Sequence, residues 1–418
     1  MEKQNSKYRW VVFASVLITY LFVVSQRTAP GLISDQLMKD FHVSASTIGL
    51  LASIQFLAYA SLQIPIGILS DRFGPNLFLI FGALLNGLGT FIYSLAPNEM
   101  VLLLARLLVG MGDATIWVNL VLIIGQWFKV KEFVSLLGLA GMTGSLGFLM
   151  ATVPFSAWID IAGWRVPFFT VGILLCIFGA CLYFVLVKIP KKMSFNSNTI
   201  KRDHVHENNN YLLRSIFTDR QAWATFLCHF GIMGTYVGFI GSWAVPYGMN
   251  VYDMSRSHAS ELIMIGLFGA IIGAPLTSWI SSRLDSLKRP YVVAHLIVFI
   301  SWVTFLFYGG KPPFNMVIIL FFLLGFGNGA SALTFAVVRQ SFPMKVVGVV
   351  SGFANTGGFL SAVLLPTIFG KILDHFHSVS GYQYGFIIPV IFSLFGLIGS
   401  FLIKEKSEKV KQHRELTV

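Results

Sequence analysis

The sequence predicts an all-α membrane protein of twelve transmembrane helices arranged as two six-helix bundles. Three observations predict it: the composition, the lengths of the apolar runs, and a repeat relating the two halves of the chain. Of 418 residues, 55% are hydrophobic and 11% are charged, against about 25% charged in an ordinary soluble domain. A spanning helix needs about 20 mostly apolar residues. Such runs lie at 10–33, 47–68, 77–96, 100–124, 133–155, 166–187, 221–247, 260–281, 291–309, 315–338, 346–370 and 383–403. Transmembrane strands would instead alternate over segments of about ten residues, and no such pattern is present in the sequence.

The first run is long, has no small-residue cleavage pattern and precedes eleven more, so it is expected to stay as a helix and not to be removed as a signal peptide. Between the sixth and seventh runs lies KIPKKMSFNSNTIKRDHVHENNNYLLRSIFTDRQ, the one long hydrophilic insert. It divides the chain into a first bundle at 1–187, a central loop at 188–219, a second bundle at 220–403 and a tail at 404–418. His204 and His206 in that insert have no cysteine partner and read as solvated linker, not as a metal site. Cys176, Cys181 and Cys228 lie inside apolar runs without metal or redox spacing and read as small buried hydrophobes.

The net charge of +12 raises the question of nucleic acid, and its placement answers it. With the N-terminus inside, 23 of the 30 Lys and Arg fall on the inner side and only Lys39, Arg165, Arg256, Lys311 and Lys371 on the outer. That asymmetry is the positive-inside pattern. It places both termini and the central loop in the cytoplasm, in a cytoplasmic-membrane protein that takes no nucleic acid.

The repeat is visible in pairs of segments. Gly110-Met-Gly112-Asp113 is followed sixteen residues on by Gln126-Trp-Phe128, and Gly325-Phe-Gly327-Asn328 is followed fifteen on by Gln340-Ser-Phe342. A parallel repeat of about 215 residues implies two like bundles with a substrate site at the midplane between them. The repeat also sets Trp243, three residues before Pro246, against Arg27, three before Pro30.

Intramembrane charge is the strongest functional signal. Arg27, Arg106 and Asp113 are the charged residues that fall deep inside apolar runs, where each costs at least about 2.5–3.5 kcal/mol and normally faces a cavity or a partner. Arg106 and Asp113 are seven residues apart, almost two turns, on one face of the fourth helix about 10 Å apart along its axis, so Arg106 is expected to be the cation that holds Asp113. Pro30-Gly31 would open the end of the first helix and expose the Arg27 guanidinium. Gln55, Tyr59 and Gln63 share a stripe of the second helix at i, i+4 and i+8. His229 and His295 read as satisfied core histidines.

GILSDRFGPN, from Gly67 to Asn76, closes the second run. It matches the Gly-x-x-x-Asp-Arg-x-Gly signature of the major facilitator superfamily, and the chain resembles that superfamily along its whole length. Gly67, Asp71, Arg72 and Gly74 are then implied as a conformational switch, although Pro75 and Asn76 stand where two basic residues usually end the motif. In the second half, SWISSRLDSLKRP keeps Arg283 of this turn. Gly138, Gly141, Gly144 and Gly147 followed by Pro154 form a packing face in the fifth helix, similar to a motif of proton-driven exporters in the superfamily.

More narrowly, RTAPGLISDQL, VSASTIGLLASIQFLAYASLQIPIGILSDRFGP and RLLVGMGDA resemble the branch of sugar-phosphate permeases and organic anion:cation symporters. That resemblance implies a substrate carboxylate on Arg27 and proton coupling through Asp113 and Arg106. Gln55 and Tyr59, from their stripe on the second helix, are candidate substrate contacts, and the places of their counterparts in related folds add Tyr236, Trp243 and Asn328, with Tyr247 nearby. The second phosphate-binding base expected in the seventh helix of phosphate exchangers is missing, with only Trp243, His229 and the peripheral Arg220 on offer. This favours a singly charged carboxylate or a zwitterion.

The expectation is therefore a monomeric secondary transporter of a small organic anion working by alternating access with protons as the coupling ion. The alternatives are a proton-coupled efflux antiporter for drugs or metabolites, for which 39 Phe and 13 Met would provide an adaptable lining, and a peptide or amino-acid carrier. A nucleophile with an adjacent base, a Walker motif and a metal cluster are all missing from the sequence, so neither enzymatic activity nor a cofactor is expected.

Overall fold

A computed structural model gives the structure of the protein and describes residues 2–27, 33–43, 45–151, 153–192, 216–376 and 379–405. Most of the central insert, with His204 and His206, and the tail beyond 405 lie outside the described residues, as do Pro30 and Gly31. Eleven helical segments are long and apolar enough to span a bilayer, and Ala45–Phe73 completes twelve. We number them α1 Tyr8–Arg27, α2 Ala45–Phe73, α3 Pro75–Ser94, α4 Glu99–Trp127, α5 Val130–Met150, α6 Arg165–Lys188, α7 Arg220–Ser242, α8 Arg256–Arg283, α9 Lys288–Phe307, α10 Phe314–Ser341, α11 Val347–His375 and α12 Ser380–Leu402.

Several runs break where the sequence suggested continuity. The first helix is described as far as Arg27, and residues 28–32 of the expected run lie outside the described residues. The fifth ends at Met150 and is followed by a separate helix, Val153–Ala162. The seventh run breaks at Trp243, after which Ala244–Tyr252 forms its own helix. Pro65 in α2 and Pro275 in α8 lie inside helices at matching places of the two halves. Proline inside a helix removes a backbone hydrogen bond and bends it, so the repeat extends to helix shape.

Within the first half α3 packs between α4 and α6, and α1 against α5 and α6; within the second, α8 packs on α10, and α12 on α7 and α9. The halves meet along α2 with α11 and α5 with α8. At the first seam the backbones nearly touch: a Cβ on Gly67 would lie 2.5 Å from the Gly348 carbonyl oxygen, so no larger residue fits without parting the halves. At the second, Gly138 lies against Ala274 and Ser278, whereas Gly144 and Gly147 lie against Tyr20, Leu21 and Val24 of α1. The half of α5 near its N-terminus therefore grips the partner half, and the other half of α5 leans on its own bundle.

The Gly67–Gly74 turn is where the halves lock. Val346, the residue before α11, supplies no side-chain cap, which leaves the first amides of that helix in need of an acceptor. Asp71 of the first half provides it: its Oδ1 accepts from the Gly348 amide at 2.9 Å and its Oδ2 from the Val349 amide at 2.8 Å. A carboxylate at a helix N-terminus stabilises by about 0.5–2 kcal/mol. Gly74 adopts φ of 91° as the residue before α3, a conformation open to glycine but strained for other residues. Arg72 is exposed, with its guanidinium 5.2 Å from the Phe73 ring, so of the two charges in the turn the structure gives the crossing contact to Asp71. Cys228 is buried, but Cys176 is only partly so and Cys181 is exposed, because Cys181 faces outward from α6 where apolar surface would meet lipid.

Candidate functional site

The three intramembrane charges come together. α4 begins with Asn98, whose side chain accepts from the Val101 amide, and about four turns later it presents Asp113, which is fully buried. The carboxylate receives three hydrogen bonds from three helices. Asn86 Nδ2 of α3 donates to Oδ1 at 2.7 Å, while Gln55 Nε2 of α2 and Arg27 Nε of α1 donate to Oδ2 at 2.8 and 3.1 Å. A buried charge is tolerated only with such partners.

Arg106 is not the cation that holds Asp113, contrary to the spacing argument. Helical side chains lean toward the helix N-terminus, so Arg106, which precedes Asp113, reaches away from it. Its Nη1 donates to Gln26 Oε1 at 3.4 Å, and its Nη2 to the Arg27 carbonyl at 3.2 Å and to Gln55 Oε1. Its guanidinium lies 5.6 Å from the Tyr93 ring. Gln26 Nε2 closes the network by donating to Asn86 Oδ1 at 2.8 Å. The ion pair is Arg27–Asp113, and Gln55 bridges the two systems by donating to Asp113 and accepting from Arg106.

Two guanidinium groups and one carboxylate leave a single excess positive charge, carried in a region of low dielectric. Arg27 is the accessible member, its side chain 9% exposed against none for Asp113. Because it holds Asp113 through Nε, its two terminal nitrogens meet no acceptor among the described residues. The guanidinium also lies 5.3 Å from the Tyr59 ring, a cation–π distance.

Below this charged tier, toward the end locked by Asp71, lies an aromatic one. Tyr20 and Trp117 pack at 5.4 Å, Trp117 meets Phe335 of the second half at 5.2 Å, and Phe335 meets the His229 ring at 5.2 Å. Tyr59 packs on Phe359 of α11 at 4.0 Å. Asn355 crosses the seam, donating to the Tyr59 hydroxyl at 3.1 Å and to Gln63 Oε1 at 2.7 Å. His229 sits 3.3 Å from Thr334 Oγ1, and both ring nitrogens of His295 contact backbone carbonyls, of Tyr291 and Cys228. The core-histidine reading therefore fits both.

Of the residues singled out from sequence, Arg27, Gln55, Tyr59, Gln63, Arg106 and Asp113 form this constellation. Trp243 does not join it. Its Nε1 donates to the Pro366 carbonyl at 3.1 Å and its ring stacks on Phe369 at 5.8 Å, because the break after Ser242 turns it onto α11 of its own half. Tyr247 likewise donates to the Gly310 carbonyl at 2.9 Å. Tyr236 and Asn328 lie seven residues from His229 and Phe335 on α7 and α10, about 10 Å along each axis, at the level of the charged tier. The Tyr236 hydroxyl is buried without a hydrogen-bond partner among the described residues. Gln26, Asn86 and Asn355 were missed by sequence reasoning, although an amide inside an apolar span is itself a signal, since it must find a partner there.

The family model of the Major Facilitator Superfamily matches residues 13–366, and again 262–417. The chain belongs to the major facilitator superfamily. It is 24% identical over 388 residues to a probable L-galactonate transporter of Escherichia coli strain K12, spanning 88% of this chain and 83% of that one. To a gentisate transporter of Corynebacterium glutamicum it is 27% identical over 378 residues, 86% and 81% of the two chains. Among solved structures it is similar to the E. coli fucose:proton symporter FucP with a TM-score of 0.72 at 15% identity, covering 96% of this chain and all of that one. A bacterial homologue of the iron transporter ferroportin, in an outward-facing state, gives 0.73 at 13%, covering 93% and 98%. This major facilitator is accordingly a multi-pass membrane transporter and not an enzyme, with the fold expected from its sequence.

Proposed function

We propose that the protein carries a small organic anion across the cytoplasmic membrane by alternating access, in symport with protons. The observation that carries this reading is the Arg27–Asp113 pair, which leaves the outer fork of Arg27 without an acceptor among the described residues, in a cluster of net positive charge. A carboxylate binds such a fork through two parallel hydrogen bonds. The names of the relatives, transporters of galactonate and gentisate, support an organic acid as the cargo. Both termini face the cytoplasm, as the distribution of Lys and Arg favours, and the working unit is a monomer. Asp71, with Gly67 and Gly74, holds the cytoplasmic end shut in the form described here.

Proton coupling follows from competition for Arg27. When an anion binds the fork of Arg27, one guanidinium serves two carboxylates, and a proton taken up with the anion relieves that shared demand. Substrate and proton then load together, their charges cancel so that the net charge of the cluster does not change, and the halves can rock about the site. Arg106 does not release Asp113 in this scheme; it holds Gln26, Gln55 and the Arg27 carbonyl, and so positions the acid's donors.

Adding L-galactonate, D-glucarate or gentisate to proteoliposomes tests it. At least one is expected to make the outside medium alkaline as it enters. Exchange of labelled anion without any alkalinisation would remove the proton from the mechanism, and absence of both binding and exchange for all three would remove the anion.

A further inference from the structure

The two tiers narrow the substrate class, resting on the anion-transport reading above. A sugar acid presents four or five hydroxyl groups that need donors and acceptors, and a site that binds such a ligand offers several convergent polar side chains. Here the amides are already committed to one another and to the charges: Gln26 and Asn86 are paired, Gln55 bridges Asp113 and Arg106, and Gln63 is paired with Asn355. What lies within a turn or two of Arg27 is aromatic surface from Tyr20, Tyr59 and Trp117, continued across the seam by Phe335 and Phe359. One donor in this layer is unsatisfied. Trp117 Nε1 is buried and has no hydrogen-bond partner among the described residues, and Trp117 stands one turn from Asp113 on α4, about 6 Å along the axis.

We propose that the site is built for a hydroxylated aromatic monocarboxylate: the carboxylate on the open fork of Arg27, the ring against the aromatic tier, and a ring oxygen about 6 Å away accepting from Trp117 Nε1. A benzoate ring has the length for this, since the ring diagonal and the two exocyclic bonds together set the carboxylate carbon about 5.7 Å from a para oxygen, close to one helical turn. A dicarboxylate is disfavoured because its second carboxylate would enter the aromatic tier with no cation to meet it among the described residues. The substrate is planar, so its ring offers faces to Tyr20 and Phe335 where a polyol offers hydroxyls with no partner.

The test compares four probes on the purified full-length protein by thermal shift and by counterflow in proteoliposomes: 4-hydroxybenzoate, benzoate, D-galactonate and D-glucarate. The expected order places 4-hydroxybenzoate about tenfold tighter than benzoate, in line with one hydrogen bond to an otherwise unpaired buried donor, and both aromatic acids ahead of the two sugar acids. Trp117→Phe keeps a ring at the position but removes the donor; the ratio of 4-hydroxybenzoate to benzoate affinity is expected to fall from about tenfold to about one. Tighter binding of D-galactonate or D-glucarate than of either benzoate overturns the aromatic class while leaving anion transport standing. An undiminished preference in the folded Trp117→Phe protein overturns the Trp117 contact. If none of the four binds, the aromatic class fails, and L-galactonate and gentisate decide separately whether the anion reading stands.

Discussion

The two halves of the molecule share a fold and differ in chemistry. Asp113 in α4 corresponds by the repeat to Asn328 in α10, and Arg27 in α1 to Trp243 in α7. All three intramembrane charges belong to the first half. The second half answers with neutral groups: His229 with Thr334, His295 on backbone carbonyls, and a dense set of rings around Phe239, Tyr247 and Phe386. Duplication supplied two similar scaffolds, and the difference between them assigns the roles. In the proposed mechanism one half holds the ligand's charge and the proton, and the other completes the wall. Besides the packed seams, hydrogen bonds cross between them from Asn355 to Tyr59 and Gln63 and from the start of α11 to Asp71.

The sharpest way to break this division is Asp113→Asn, and it carries the largest expected effect. A one-unit pH gradient is worth about 1.4 kcal/mol, enough for about tenfold accumulation of a monoanion moving with one proton. The variant is expected to bind substrate and to exchange it, because Arg27 keeps its fork, but to accumulate none against its gradient. Accumulation by the Asn variant under an imposed pH gradient would move the coupling site elsewhere.

Arg27→Lys comes next. Lysine keeps the charge and can still meet Asp113, but a point charge replaces the planar fork that serves Asp113 through Nε and a carboxylate through its ends. Loss of one charge-assisted hydrogen bond corresponds to about 10- to 100-fold weaker anion binding, measured by titration calorimetry on protein of unchanged thermal stability. Wild-type affinity would take Arg27 out of the site.

Asp71→Asn tests the lock between the halves. Asparagine keeps one acceptor for the α11 amides but loses the charge at the helix end, about 1 kcal/mol or a few-fold in the equilibrium between closed and open ends. Maleimide labelling of Ser351→Cys, at a fully buried position of α11, is expected to accelerate by that factor in the Asp71→Asn background. An unchanged labelling rate would mean that the seam at Gly67 and Gly348 closes this end without the carboxylate.

How much of this was legible beforehand divides along the same line. Helix count, the repeat and the three charges follow from apolar run length and from the cost of burying charge, both properties of the linear sequence. The partner of Asp113 does not follow from it. Spacing along α4 pointed to Arg106, but the direction in which a helical side chain leans sends Arg106 away and leaves the acid to Arg27, on a different helix. Asn86 and Asn355 sit in apolar spans with nothing nearby in sequence to say what they bond, and only the packing of α3 on α4 and of α11 on α2 supplies the partner. Asp71 was legible as a helix-end residue of the family turn, yet which helix it caps depends on how the halves close.

Trp243 gives the smallest expected effect and the cleanest check on arguing from the repeat. Symmetry sets it opposite Arg27, so that a repeat-based site would place its indole against the substrate. In the structure its Nε1 donates to the Pro366 carbonyl of α11 and its ring stacks on Phe369, contacts that stay within the second half and brace α11 where its internal proline frees the chain to bend. Trp243→Phe retains the stacking and removes the donor, which costs about 1 kcal/mol of stability and is expected to lower the melting temperature by a few degrees. Substrate affinity is expected to stay within about twofold, since no ligand contact is removed. A variant that melts like the wild type but binds the anion about tenfold more weakly would show that Trp243 turns to the substrate in the loaded protein, and the two halves would then share recognition instead of dividing it.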